Sequence, residues 1–144
     1  MEELLNHTAS RIALSASGIS FMTGSLTGLW KYLCIRQSQK TEAHHFVNTA
    51  HCAELMYGFA GQMLAVFAAT SAFSDTVNIV AVIFPLLFFS IAIIHYIILG
   101  LTTESNNSIR DSAERNKEYW ILNILAVSEI GGFSALLAGF FLRL

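Results

Sequence analysis

His51 and Glu54 are an imidazole and a carboxyl three residues apart, inside a run with almost no other charge. At helical spacing they share a face, and with Asn48, Gly58 and Gly61 they form a wall that is polar at one end and bare of side chains at the other. Ionisable groups in an apolar span are costly, so each needs a counter-ion, a metal or a bound group to account for it. An imidazole beside two glycines suits a pocket in which a flat ligand lies against Gly58 and Gly61 while His51 binds it. The alternative is that His51 and Glu54 hydrogen-bond neighbouring helices and the glycines pack backbones. A second imidazole, His95, is followed by Tyr96. His51 falls about five residues past Phe46 and His95 about six before Leu101, placing both roughly 7 to 9 Å below one membrane boundary at 1.5 Å per residue. Two imidazoles at one depth on neighbouring helices would suit a six-coordinate haem iron, and a single one would leave an open iron position. The other reading of His95 is a solitary histidine bonded to a backbone carbonyl, since Phe88, Ile91, Ala92, Ile98 and Leu99 around it are apolar.

Glu129 is expected near the midplane of the last apolar run. It reads as a proton relay, as a metal ligand with Glu54, as an acceptor for a bound substrate, or as an acid bonded to Ser or Thr across the bundle. A carboxylate-bridged di-metal site wants about four carboxylates and two histidines, more than His51, Glu54, His95 and Glu129 supply.

The elements that carry these residues follow from hydropathy. The 144-residue chain is 54% hydrophobic and 12% charged, outside the range of an ordinary soluble domain. Runs 12–30, 47–70, 77–101 and 119–142 each suffice to cross a hydrocarbon core, which takes about 20 helical residues. Residues 1–144 are thus expected to form one all-α domain, an integral membrane four-helix bundle. The acidic, polar start at Met1-Glu2-Glu3-Leu4-Leu5-Asn6 is unlike a cleavable signal, so the first span is expected to stay. Lys31, Arg36, Lys40, Arg110, Arg115 and Lys117 outnumber Arg11 and Arg143, which puts loops 31–45 and 102–118 on the cytoplasmic side of a plasma (inner) membrane or organellar equivalent. The formal net charge of −2 points to no nucleic-acid partner. Cys34 and Cys52 have no metal spacing and read as buried free thiols.

Small residues mark the helix seams. Ser17, Ser20, Gly24 and Gly28 recur at three- and four-residue spacing, Gly24 to Gly28 being a GxxxG, and Gly132, Ala135 and Gly139 repeat the device. They predict close backbone packing, within the chain or between copies, with room for a flat ligand as the other reading. Pro85 is tolerable in the third span if neighbours satisfy the carbonyl it frees, and it predicts a kink.

Ala50-His51-Cys52-Ala53-Glu54-Leu55-Met56-Tyr57-Gly58, preceded by Phe21-Met22-Thr23-Gly24-Ser25-Leu26-Thr27-Gly28-Leu29-Trp30, resembles the styrene oxide isomerase and hydroxylaminobenzene mutase family of small four-helix membrane enzymes. The likeness covers residues 12–67. It departs where the family has Asn before the glycine, since Tyr57 stands there, and the family's third-span pattern is not clearly matched. The resemblance implies a homo-oligomeric, trimeric protein that binds haem b through His51 and uses the iron as a Lewis acid on an epoxide or hydroxylamine oxygen. Together these readings predict a haem-dependent isomerase of a small apolar substrate entering from the lipid. Its cofactor site would be His51, Gly58 and Gly61, with His51 and under one alternative His95 on the metal, and Tyr57, Tyr96 and Glu54 on the substrate side. The competing expectations are a non-catalytic haem or electron-transfer subunit, and an accessory subunit of a larger membrane complex.

Overall fold

The computed structural model describes residues 2–39, 41–102, 104, 106–107 and 115–144, without the side chains of 2–3 and 115–118. Among the described residues the chain is all helical: α1 (Glu2–Asn6), α2 (Thr8–Gln37), α3 (His45–Thr70), α4 (Asp75–Thr102) and α5 (Arg115–Phe141). The last four are long and apolar enough to cross a membrane. Each expected span lies inside one of them, apart from Leu142 in the closing turn, and most extend beyond it. The 30 residues of α2 rise about 45 Å, more than the ~30 Å of hydrocarbon they need to cross. Lys31 and Arg36 therefore ride on the last turns of α2, where cations complement the carbonyl end of a helix. Lys40 and Arg110 lie outside the described residues, as do the side chains of Arg115 and Lys117.

Why these helices pack is clearest at the small residues. Helix α2 lies along α3 with two buried serines turned into it: Ser10 Oγ donates to the Ala65 carbonyl at 2.8 Å and Ser17 Oγ to the Gly58 carbonyl at 2.6 Å. In lipid, where apolar side chains gain little by leaving the solvent, such bonds and close backbone contact hold helices together. Ala9, Ala13, Leu64, Ala65 and Ala68 fill the spaces between them. The α3–α4 turn, residues 71–74, is tied to the C-terminal end by Ala72 N–H donating to the Gly139 carbonyl at 2.9 Å. Asn78 Nδ2 bonds the Phe73 carbonyl at 3.2 Å from below.

Helix α4 continues through Pro85, whose side chain is fully buried. Proline cannot donate to the carbonyl four residues earlier, that of Ala81. Both that oxygen and the Pro85 ring lie against Gly132 of α5, where any side chain would collide with them. The spacing of Gly132, Ala135 and Gly139 thus serves packing inside the chain, Gly139 admitting Ser71 and Phe73 of the turn.

Candidate functional site

The GxxxG of α2 and the His51–Glu54 pair of α3 meet in one seam. A side chain added at Gly28 would place its Cβ 2.8 Å from His51 Cε1 and 3.1 Å from Nδ1, so the imidazole lies in the space that this glycine leaves. A Cβ at Gly24 would stand 3.2 Å from that of Glu54 and 3.0 Å from the Leu55 side chain. His51 Nδ1 lies 2.8 Å from the Gly24 carbonyl oxygen. A carbonyl only accepts, so Nδ1 carries the hydrogen and the neutral ring keeps its lone pair on Nε2. The ring is half-buried, and Nε2 makes no hydrogen bond to a described residue.

Glu54 is 1% exposed and faces α2. The Thr27 hydroxyl bonds its Oε2 and stands 3.0 Å from the Gly24 carbonyl oxygen. The Gly24 carbonyl is therefore shared ground between His51 and the Thr27–Glu54 contact. Thr27 did not stand out in the sequence as part of a site, being one of many hydroxyls, and Gly24 and Gly28 read as packing or as room for a flat ligand, not as partners of His51 and Glu54.

Gly58 and Gly61 share the face of His51 as expected, but α2 fills the space beside them. A Cβ at Gly58 would meet the Ser17 carbonyl and Phe21 N at 3.4 Å, and one at Gly61 would meet Ser17 Cβ at 3.0 Å and the Ala13 carbonyl at 3.2 Å. The expected open wall for a flat ligand is occupied by a helix backbone, because two glycines in register with small residues let the helices touch there.

His95 stands elsewhere. It lines a cavity of about 330 Å³ with His45, Phe46 and Thr49 of α3. At 100° per residue His51 is about 200° around α3 from Thr49, the opposite side of the helix. The expectation that His51 and His95 face one another is corrected: equal depth does not give equal direction.

Tyr57 and Tyr96 are likewise turned away from the α2–α3 seam. Tyr57 stacks on Phe89 of α4, with ring centroids 4.0 Å apart and planes 9° apart, and Tyr96 stacks parallel to Phe46 at 6.4 Å. Both phenols lie within electrostatic reach of Glu129 of α5, so three helices bring one polar group each to the same region of the bundle. Glu129 Oε1 is buried without a hydrogen-bond partner among the described residues. Glu129 Oε1 therefore lacks the expected bond to a serine or threonine, and sequence spacing gave no reason to group this carboxyl with two phenols.

Among the described residues no three His, Cys, Asp or Glu side chains converge on a point that could hold a metal ion. The two thiols are free, and their expected burial is corrected: Cys52 is exposed on the outer side of α3 and Cys34 is half-buried. Comparison of the chain with protein-family models, with curated proteins and with solved structures finds no match.

Proposed function

We propose that the protein is a haem-dependent membrane isomerase that rearranges a small apolar epoxide or related molecule, with His51 as the iron ligand. The observation that carries this reading is the His51 imidazole: Nδ1–H is held by the Gly24 carbonyl at 2.8 Å while Nε2 makes no hydrogen bond to a described residue. Metal-bound histidines almost always donate their other N–H to a carbonyl or carboxylate, which fixes both tautomer and ring orientation. The donor set of the seam therefore fits an imidazole-ligated haem b. The resemblance of the surrounding residues to the styrene oxide isomerase and hydroxylaminobenzene mutase family supplies the choice of haem and of reaction.

When bound, the iron would supply Lewis acidity toward the substrate oxygen. The chain's own residues do the rest. Gly28 leaves the space that the imidazole occupies, Gly24 orients the ring through its carbonyl, and Glu54 holds Thr27 next to that carbonyl. In this arrangement Glu54 acts on ring orientation. A planar group is not accommodated between α2 and α3, which are in contact at Gly58 and Gly61, so the outer side of the seam and a second copy of the chain complete the site in a homo-oligomer. Tyr57 and Tyr96 belong to the α3–α4–α5 interior, and the geometry of one chain gives them no approach to His51. Substrate would arrive from the lipid, with loops 31–45 and 102–118 on the cytoplasmic side.

The test is the visible spectrum of protein purified from haem-replete cells. Wild type and His95→Ala are expected to carry a haem band, and His51→Ala to lose it while keeping its helical content. A normal haem complement in His51→Ala, or none in wild type, overturns the assignment and leaves the α2–α3 seam as packing, the accessory-subunit reading. Loss of the band in His95→Ala would instead favour a bis-histidine electron-transfer subunit.

A further inference from the structure

The cavity that holds His95 opens between the loop-side ends of α3, α4 and α5, and it is independent of the His51 seam. At about 330 Å³ it is at the small end of ligand pockets, which run from about 300 to 1,000 Å³. Its lining divides in two. His45, His95 and Asn106 bring hydrogen-bonding groups from α3, α4 and the following loop, while Ala92, Ile121 and Leu125 form an apolar floor. Neither imidazole makes a hydrogen bond to a described residue. Each neutral imidazole has one nitrogen that donates and one that accepts. Two such rings from different helices, together with a carboxamide, match a group that both donates and accepts.

The charge of an occupant is also constrained. Among the described residues no Lys, Arg, Asp or Glu lines the cavity, so no described side chain there balances an ion that has left water, and an unbalanced buried charge is costly. The parallel rings of Phe46 and Tyr96 both line one side and present flat apolar surface to what enters. We propose that this cavity binds a small neutral amphiphile bearing a hydroxyl group, the hydroxyl between His45 and His95 and the apolar body toward Ala92 and Leu125.

Three probes that differ only in the polar group test this on the purified full chain in detergent: 4-hydroxybiphenyl, biphenyl and biphenyl-4-carboxylate. Binding is read by ligand-observed NMR against protein-free micelles, which share the partitioning but lack the cavity. The hydroxyl probe is expected to show saturable binding of one molecule per chain. His45→Leu and His95→Leu each remove one side of its hydrogen bonding and are expected to weaken it about fivefold or more. Ala92→Phe, which fills the floor, is expected to abolish it. His45 is exposed, so His45→Leu tests the hydrogen-bonding role even if Ala92→Phe fails to fold. No saturable component, equal saturable binding of biphenyl, or tighter binding of the carboxylate overturns the proposal, as does full-strength binding to both histidine variants. Because the readout needs neither haem nor activity, its failure leaves the His51 assignment standing, and loss of haem from His51→Ala says nothing about this cavity.

Discussion

Gly28→Ala, set against Gly18→Ala, isolates what the α2–α3 seam contributes. Both glycines lie within α2, and in both cases alanine relieves the conformational cost of glycine in a helix, about 0.8–1 kcal/mol. At Gly18 a Cβ meets nothing within 4 Å, so that gain stands alone and the variant should be as stable as wild type or slightly more so. At Gly28 the new methyl would sit 2.8 Å from His51 Cε1, closer than real carbon atoms approach, and the imidazole must move. Overpacking costs about 1–3 kcal/mol. Displacing the ring also strains or breaks the bond from Nδ1 to the Gly24 carbonyl, worth about 0.5–1.5 kcal/mol. The two losses exceed the helix gain, for a net destabilisation of roughly 0.5–3.5 kcal/mol. Reversible unfolding of both variants in mixed detergent micelles measures the difference directly. The reasoning is refuted if Gly28→Ala is as stable as Gly18→Ala, since the ring would then not occupy the space seen beside Gly28. A haem spectrum of Gly28→Ala adds a second reading, as a displaced His51 should bind iron more weakly.

On the same logic Gly24→Leu should disrupt folding and assembly, whereas Leu26→Ala, at a position 61% exposed, should leave both unchanged; equal behaviour in size-exclusion chromatography would remove the packing role of Gly24. In α5, Gly132→Val should be severely destabilising because Pro85 and the Ala81 carbonyl fill that space, while Gly131→Val meets nothing within 4 Å and should be tolerated; thermal denaturation compares the two. Cys52 is exposed and Cys34 half-buried, so a lipid-soluble maleimide should modify Cys52 first, as mass spectrometry of a time course would show, and faster modification of Cys34 would contradict the outward placement of Cys52. Single cysteines at Ser38 and Ser108 should both be labelled from the cytoplasmic side only, and labelling of both from the outside would reverse the proposed orientation.

Hydropathy alone determined the number and approximate extent of the long helices, because each apolar run is long enough to cross hydrocarbon and its backbone bonds close within the helix. The special status of His51 and Glu54 was equally legible, since two ionisable groups in such a run stand out without any structure. Helical periodicity likewise put Glu54, Gly58 and Gly61 on one face with His51. What it could not decide was the neighbour on that face. A periodicity fixes the angle of a side chain about its own axis, while the partner depends on how helices distant in sequence are rotated and shifted against one another. That is why Gly58 and Gly61 read equally well as a ligand wall or as a seat for α2, and why His51 and His95, at matching depth, could be expected to meet although they face opposite ways. The same limit hid the grouping of Tyr57, Tyr96 and Glu129, which belong to three helices and share no spacing. Only the tertiary structure joined the GxxxG of α2 to the His51–Glu54 pair of α3, because the absence of two side chains on one helix has meaning only against the imidazole and carboxyl that fill their place from another.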